Sequence, residues 1–192
     1  DDDLAQDNAG DLHDSYLRDA GSVEPNMAAA VTGVVASKGD TAEYDRFLEK
    51  YRDPSTPQEE RRYQSALSAF PGEPEMKRTL KMTLDGTVRT QDAPYLLAVC
   101  MRNKYQGHIA WDFVKENWDK INEVFPSNSI VRMLSGVTSL SKPSEAEDVL
   151  AFFEDHEVPQ GQLTLQQTLE KLQVIVALRA RETERFSASL TS

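Results

Sequence analysis

Between Ile109 and Phe125, five large apolar side chains (Trp111, Val114, Trp118, Ile121 and Phe125) follow one another at steps of three, four, three and four. That spacing lines them up on one face of a 3.6-residue helix and scatters them across both faces of a strand. Both Trp side chains therefore belong on a buried helical face. Burying each indole is worth about 2 to 3 kcal/mol from area alone, so the stripe reads as core before it reads as a ligand platform.

The same pattern recurs along the chain. Tyr44, Phe47, Leu48 and Tyr51 lie at i, i+3, i+4 and i+7 behind Asp40 and Thr41, which mark a helix start. After Asp53-Pro54 and Thr56-Pro57 break the chain, Tyr63, Ala66, Leu67 and Phe70 repeat the pattern until Pro71-Gly72 stops it. Further helices are predicted over 23 to 38, 73 to 84, 92 to 103, 108 to 125, 127 to 138, 144 to 155 and 164 to 188, while strand-like alternation is nearly absent. The last of these carries Leu165, Leu169, Leu172 and Val176 on one stripe. Thr164 reads as its N-cap, and Arg179, Arg181 and Arg185 as a solvated face near its end, with a surface that meets an acidic partner as the lesser alternative.

Helices recur about every 17 to 20 residues, so pairs recur at roughly 35 to 40, within the range of stacked helical hairpins. No residue signature is shared between the pairs. The expected fold is all-α: an αα-superhelix, a HEAT- or armadillo-like stack of antiparallel helix pairs. Residues 1 to 10, acidic and aperiodic, read as a disordered leader or linker, and residues 11 to 192 as a single helical-repeat domain.

Charge narrows the partners. The 192 residues hold 32 acidic and 21 basic side chains, a net of -11. Residues 1 to 25 carry eight of the acids against Arg18 alone, a net of -7, and the other 167 residues, with 24 acids and 20 bases, a net of -4. Nucleic-acid binding draws on clustered Lys and Arg to displace counterions, so neither nucleic acid nor an anionic membrane is an expected partner. No apolar stretch approaches the ~18 residues that span a bilayer. The single Cys100 sits in an apolar run, where a thiol behaves as a small hydrophobe. A soluble chain in a reducing, cytoplasmic setting is the expectation. Because the first residue is Asp1, the chain is expected to be a processed product or a piece of something longer.

A catalytic constellation is not legible. His156-Glu157-Val158-Pro159-Gln160 only approaches the zinc signature His-Glu-x-x-His: Gln160 replaces the second ligand, and Pro159 would break the helix that must present both. His13, His108 and His156 show no ligand spacing and read as surface or capping residues. Phosphate-cradling glycine loops and nucleophile turns are missing. The carboxylate pairs Glu59-Glu60 and Glu145-Glu147 read as facing water. A polar cluster, Val88-Arg89-Thr90-Gln91-Asp92, interrupts two apolar helices; Asp92 reads as the cap of the following helix and Arg89 as half of a local ion pair.

Three stretches nevertheless stand out in order along the chain: Arg89-x-Gln91-Asp92; then Asn103-x-x-x-Gly107-x-x-Ala110-Trp111-x-Phe113-x-x-x-Asn117-Trp118; then Phe152-Phe153-x-x-His156. With Gln166-Gln167-x-x-Glu170 in the last helix, their order and spacing resemble the C-terminal helical domain of zinc aminopeptidases of the aminopeptidase N and puromycin-sensitive type. The resemblance covers roughly residues 15 to 188. These domains often have Asn five residues beyond that Glu, where this chain has Ile175.

The resemblance implies a non-catalytic domain that closes like a bowl over a catalytic domain of the same polypeptide. That partner would hold one zinc ion in a His-Glu-x-x-His site, with peptides as substrates and no cofactor in this chain. It assigns Arg89, Gln91 and Asp92 to the chamber wall or interdomain contact. Asn103, Gly107, Trp111, Phe113, Asn117, Trp118, Gln167 and Glu170 become structural motif residues. An independent helical-repeat scaffold that binds protein segments on a concave face remains the alternative.

Overall fold

The computed structural model describes residues 3–158 and 160–190, and among these no residue is in a strand. The all-α expectation holds. Two compact units divide the chain, a first running to Thr79 and a second starting at Leu80.

The first unit contains α1 (Asp3–Arg18), α2 (Pro25–Ala36), α3 (Thr41–Arg52), α4 (Pro57–Leu67) and most of α5 (Glu73–Met82). Helix starts follow local chemistry. Asp40 accepts from the Glu43 backbone N–H at 2.9 Å to open α3, and Thr56 accepts from that of Glu59 at 3.1 Å to open α4, with Pro57 at the first helical position. α1 packs on α2, α2 on α4 and α3 on α4. Every apolar residue predicted for the faces of α3 and α4 is buried. At the centre, the Phe47 ring meets Tyr63 edge-on at 5.1 Å and Phe70 at 5.4 Å, the arrangement aromatic quadrupoles favour.

Three expectations fail in this unit. Residues 3 to 10, read as part of a leader without structure, belong to α1; residues 1 and 2 lie outside the described residues. The acidic composition hid a short line, Ala9, His13 and Tyr16 at i, i+4 and i+7, that is buried. His13, read as a surface residue, is 3% exposed, its Nε2 3.3 Å from the Tyr63 hydroxyl and its ring 5.3 Å from Phe47. Glu59, read as facing water, is 6% exposed. Its carboxylate turns back to accept from the Ser55 N–H at 2.7 Å and the Tyr16 hydroxyl at 3.3 Å. Thr56-x-x-Glu59 is thus a capping-box pattern, shifted by one donor.

The second unit contains α6 (Ala93–Met101), α7 (Gly107–Glu116), α8 (Trp118–Val124), α9 (Ser127–Met133), α10 (Pro143–Asp155) and α11 (Gln162–Leu190), with a 3₁₀ turn over Leu134–Ser139. α6 packs against α7, α9 and the 3₁₀ turn, so it needs no polar face: Leu96, Leu97, Ala98, Cys100 and Met101 are all buried. Burial holds the Cys100 thiol pKa up at about 12, a core side chain as its apolar run implies. α11 packs on α10 and the 3₁₀ turn.

The helix predicted over 108 to 125 is two helices, α7 and α8, parted at Asn117. The Asn117 side-chain amide donates to the Phe113 carbonyl at 2.8 Å while its backbone N–H donates to the same oxygen at 3.1 Å. Asn117 itself leaves helical geometry, with φ of -113° and ψ of 19°. The stripe survives the break, with all five apolar residues buried. The helix predicted over 127 to 138 gives way to 3₁₀ geometry at Leu134. There Gly136 comes so close to α6 that a Cβ would lie 2.7 Å from the Ala98 carbonyl oxygen. Because α11 starts at Gln162, Thr164 falls inside its first turn and is not the cap. On α11, Leu165 and Leu172 are buried, and Leu169 and Val176 half-buried.

Candidate functional site

The Arg89-x-Gln91-Asp92 cluster forms one turn between α5 and α6. Gly86, with φ of +88°, makes the bend that glycine tolerates at no steric cost, and Val88 is buried beneath it. The Arg89 carbonyl accepts from the Asp92 and Ala93 N–H groups, both at 2.9 Å, so it is the backbone of Arg89 that opens α6. Asp92 occupies the cap position with αR backbone and makes no capping bond through its side chain, which corrects the capping role read for it. Arg89 and Gln91 are exposed and Asp92 is half-buried.

The motif that follows builds the joint between α6 and α7. Asn103 Oδ1 accepts from the N–H groups of Tyr105 at 2.8 Å and Gln106 at 2.9 Å, and its carbonyl accepts from Gly107 at 3.0 Å. Gly107 starts α7 against the end of α6, where a Cβ would lie 2.5 Å from the Met101 carbonyl oxygen. Asn-x-x-x-Gly is therefore the code for a tight helix-to-helix turn, with Asn satisfying the orphan N–H groups and Gly permitting the approach.

Trp111 and Trp118 then close on α10. Trp111 meets Phe152 edge-on at 5.2 Å, Trp118 meets Phe152 at 5.4 Å and Phe153 at 5.8 Å, and His156 stacks on Phe152 at 3.8 Å. Phe113 and Asn117 are half-buried beside them. His156 ends α10, its Nδ1 2.7 Å from the Phe152 carbonyl, which fits the capping role expected of it. Sequence reasoning missed the polar partner of this cluster. Asp148 Oδ2 accepts from Trp111 Nε1 and from Lys115 Nζ, each at 2.6 Å, and Lys115 also reaches Asp112 at 3.1 Å. A signal existed: Asp148 stands four residues before Phe152, on the same face of α10. On α11, Gln166 donates to Glu170 at 3.2 Å, while Gln167 is exposed.

Among the described residues no group of three His, Cys, Asp or Glu gathers to hold a metal ion, and Pro159 of the zinc-like near miss lies outside them. The residues present do not fit a zinc ion. The first unit holds a cavity of about 630 Å³ lined by His13, Asp14, Arg46, Phe47, Lys50 and Tyr63 among others, with apolar floor and charges of both signs.

Residues 1–174 match the family model described as the ERAP1-like C-terminal domain. The chain is 32% identical over 152 residues to endoplasmic reticulum aminopeptidase 2 of Bos taurus, covering 76% of this chain and 16% of that protein. It is 30% identical over 136 residues to aminopeptidase M1-B of Oryza sativa subsp. japonica, covering 69% of this chain and 15% of that one. To glutamyl aminopeptidase of Mus musculus it is 27% identical over 142 residues, 73% of this chain and 15% of the relative. The chain thus spans about a sixth of the length of these relatives. With the paired helices, the Asn-to-Gly joint and the Trp–Phe cluster in place, the chain belongs to the ERAP1-like C-terminal domains, the helical C-terminal part of the aminopeptidase N family.

Proposed function

We propose that this chain is the non-catalytic C-terminal domain of a zinc metallo-aminopeptidase that removes N-terminal amino acids from peptides. The observation that carries the reading is the family match over residues 1–174, in company with relatives that are aminopeptidases by name and about six times its length. The zinc and the hydrolytic residues would belong to a catalytic domain of the same polypeptide. This domain would form the bowl that encloses the substrate chamber, confining the peptide and gating its entry. Arg89, Gln91 and Asp92, side by side on one turn, are the candidates for the chamber wall or the contact with the catalytic domain.

The test has two stages. The parent reading frame is expected to encode His-Glu-x-x-His upstream of this chain, and a frame without it would favour an independent scaffold. In the parent enzyme, alanine at Arg89, Gln91 or Asp92 is expected to change kcat/KM as a function of peptide length while leaving zinc content unchanged. Kinetics that keep the same length dependence in all three variants would remove the chamber assignment. The isolated 192-residue chain should release no amino acid from aminoacyl chromogens, and chelator-sensitive turnover by it would overturn the non-catalytic reading.

A further inference from the structure

A cleft in the second unit reverses the charge of the chain around it. It encloses about 350 Å³ between the end of α6, the start of α7, the 3₁₀ turn, the start of α10 and α11, and its charged lining is Arg102, Lys104, Lys142, Glu145 and Arg179. Residues 80–192 hold twelve Lys and Arg and fifteen Asp and Glu. Four of those twelve bases line this one cleft, with one of the fifteen acids.

The two guanidinium groups are positioned by neutral partners. Arg102 donates to the Ser135 hydroxyl at 3.0 Å and Arg179 to the Ser141 hydroxyl at 2.8 Å, bonds that leave each charge uncancelled. Arg179 differs in this from Arg181 and Arg185 on the same helix, which both donate to the Glu182 carboxylate. Lys142 pairs with Glu145 at 2.8 Å, and Lys104 lies over the Tyr105 ring at 5.5 Å. Also lining the cleft are Gly107 and His108, the first residues of α7. Its dipole adds to the positive potential the side chains set up.

With one of four cations offset by Glu145, the cleft has the charge to take a ligand bearing two or more negative groups. Two Arg forks match planar carboxylates, each able to bind one through paired N–H donors. We propose that this cleft binds the side-chain carboxylates of an acidic peptide segment. The choice of a peptide rests on the aminopeptidase reading above; the anion chemistry rests on the cleft alone.

The probe is a peptide blocked at both ends, acetyl-Ala-Glu-Glu-Glu-Ala-amide, with its Gln counterpart as control, titrated by calorimetry into the 192-residue chain at low salt. The Glu peptide is expected to bind at least tenfold more tightly than the Gln peptide, and to weaken as salt rises. Arg102→Gln and Arg179→Gln should each lower its affinity at least tenfold, and Arg102→Lys should restore part of the loss. Lys120→Gln, which removes the same charge from an exposed site on α8, should change it less than twofold. Citrate should displace the Glu peptide, identifying carboxylate as the recognised group, and failure of citrate to compete would count against the cleft. Equal binding of the Glu and Gln peptides, or equal losses in Arg102→Gln and Lys120→Gln, would overturn the proposal. Unchanged thermal unfolding of each variant separates lost binding from lost fold. Because binding to this chain needs no turnover, a parent enzyme without peptidase activity would remove the functional reading and leave the cleft standing, and absent binding in an active parent would do the reverse.

Discussion

The indole N–H of Trp111 donates to Asp148 Oδ2 at 2.6 Å, tying the first aromatic residue of the α7 stripe to the α10 helix it packs against. Lys115 shares that oxygen. Burial works to raise the Asp148 pKa, but the hydrogen bonds from Lys115 and Trp111 outweigh it and hold the carboxyl below its ordinary value. A carboxyl lowered in this way stabilises the folded state fully above its unfolded pKa of about 3.9 and loses that contribution as pH falls through the lower folded value. The Asp148→Asn variant should therefore be less stable than wild type at pH 7, and the gap should narrow below about pH 4. With a side chain 47% exposed and screened by water, the gap is expected to stay within about 1 kcal/mol. Urea unfolding at pH 7 and pH 3.5 measures it, and a gap that does not change with pH would refute the pairing.

The two Trp residues should respond differently to substitution. Trp111→Phe keeps an aromatic ring against Phe152 but deletes the donor to Asp148, for a cost near 1 kcal/mol. Trp118→Ala empties a site 7% exposed that is walled by Phe152 and Phe153, and should cost about 3 to 5 kcal/mol. Denaturant midpoints rank the two, and a Trp118→Ala variant as stable as Trp111→Phe would show that the stripe is not core.

What the sequence revealed and what it hid follow from one physical distinction. Apolar periodicity reports burial, so the α3, α4 and α7 to α8 faces were legible before any coordinates. Polar side chains buried for a reason of geometry leave no periodic trace. Glu59 looks like any surface acid until Ser55 and Tyr16 are placed around it. His13 becomes a core residue only because Phe47 and Tyr63 arrive from other helices. The turn at residues 89 to 92 was visible as a polar interruption, yet the cap it supplies comes from the Arg89 carbonyl, a group common to every residue. The basic cleft draws its charges from residues 102, 104, 142 and 179, a spacing no linear motif could expose.

Gly107 and Gly10 make opposite predictions for the same change. At Gly107 an added Cβ meets the Met101 carbonyl oxygen at 2.5 Å, a backbone atom with no freedom to swing aside. Gly107→Ala should destabilise by about 1 to 3 kcal/mol. Gly10 lies within α1 with nothing within 4 Å of where a Cβ would sit, so Gly10→Ala should stabilise by about 0.5 to 1 kcal/mol through helix propensity. Thermal unfolding of the pair gives the signs, and a neutral Gly107→Ala would contradict the close approach at the α6 to α7 joint.

His13 links pH to the first unit. Burial pushes its imidazole below the ordinary value of 6.5; Asp14 beside it on α1 pulls upward, while Arg46 and Lys50 on α3 and Arg62 on α4 push it further down. The folded chain therefore resists a proton that the unfolded chain accepts as pH drops below about 6.5. The sign follows: stability is complete above that pH and declines as pH falls toward the lower folded pKa. Replacing the imidazole by His13→Gln removes this dependence while His108 and His156 remain, so the difference between the two proteins isolates one group. Unfolding free energies at pH 7.5 and 5.5 should fall more for wild type than for His13→Gln. Equal declines would mean that His13 takes up its proton in the folded state, and with it that the Phe47 and Tyr63 enclosure opens to water.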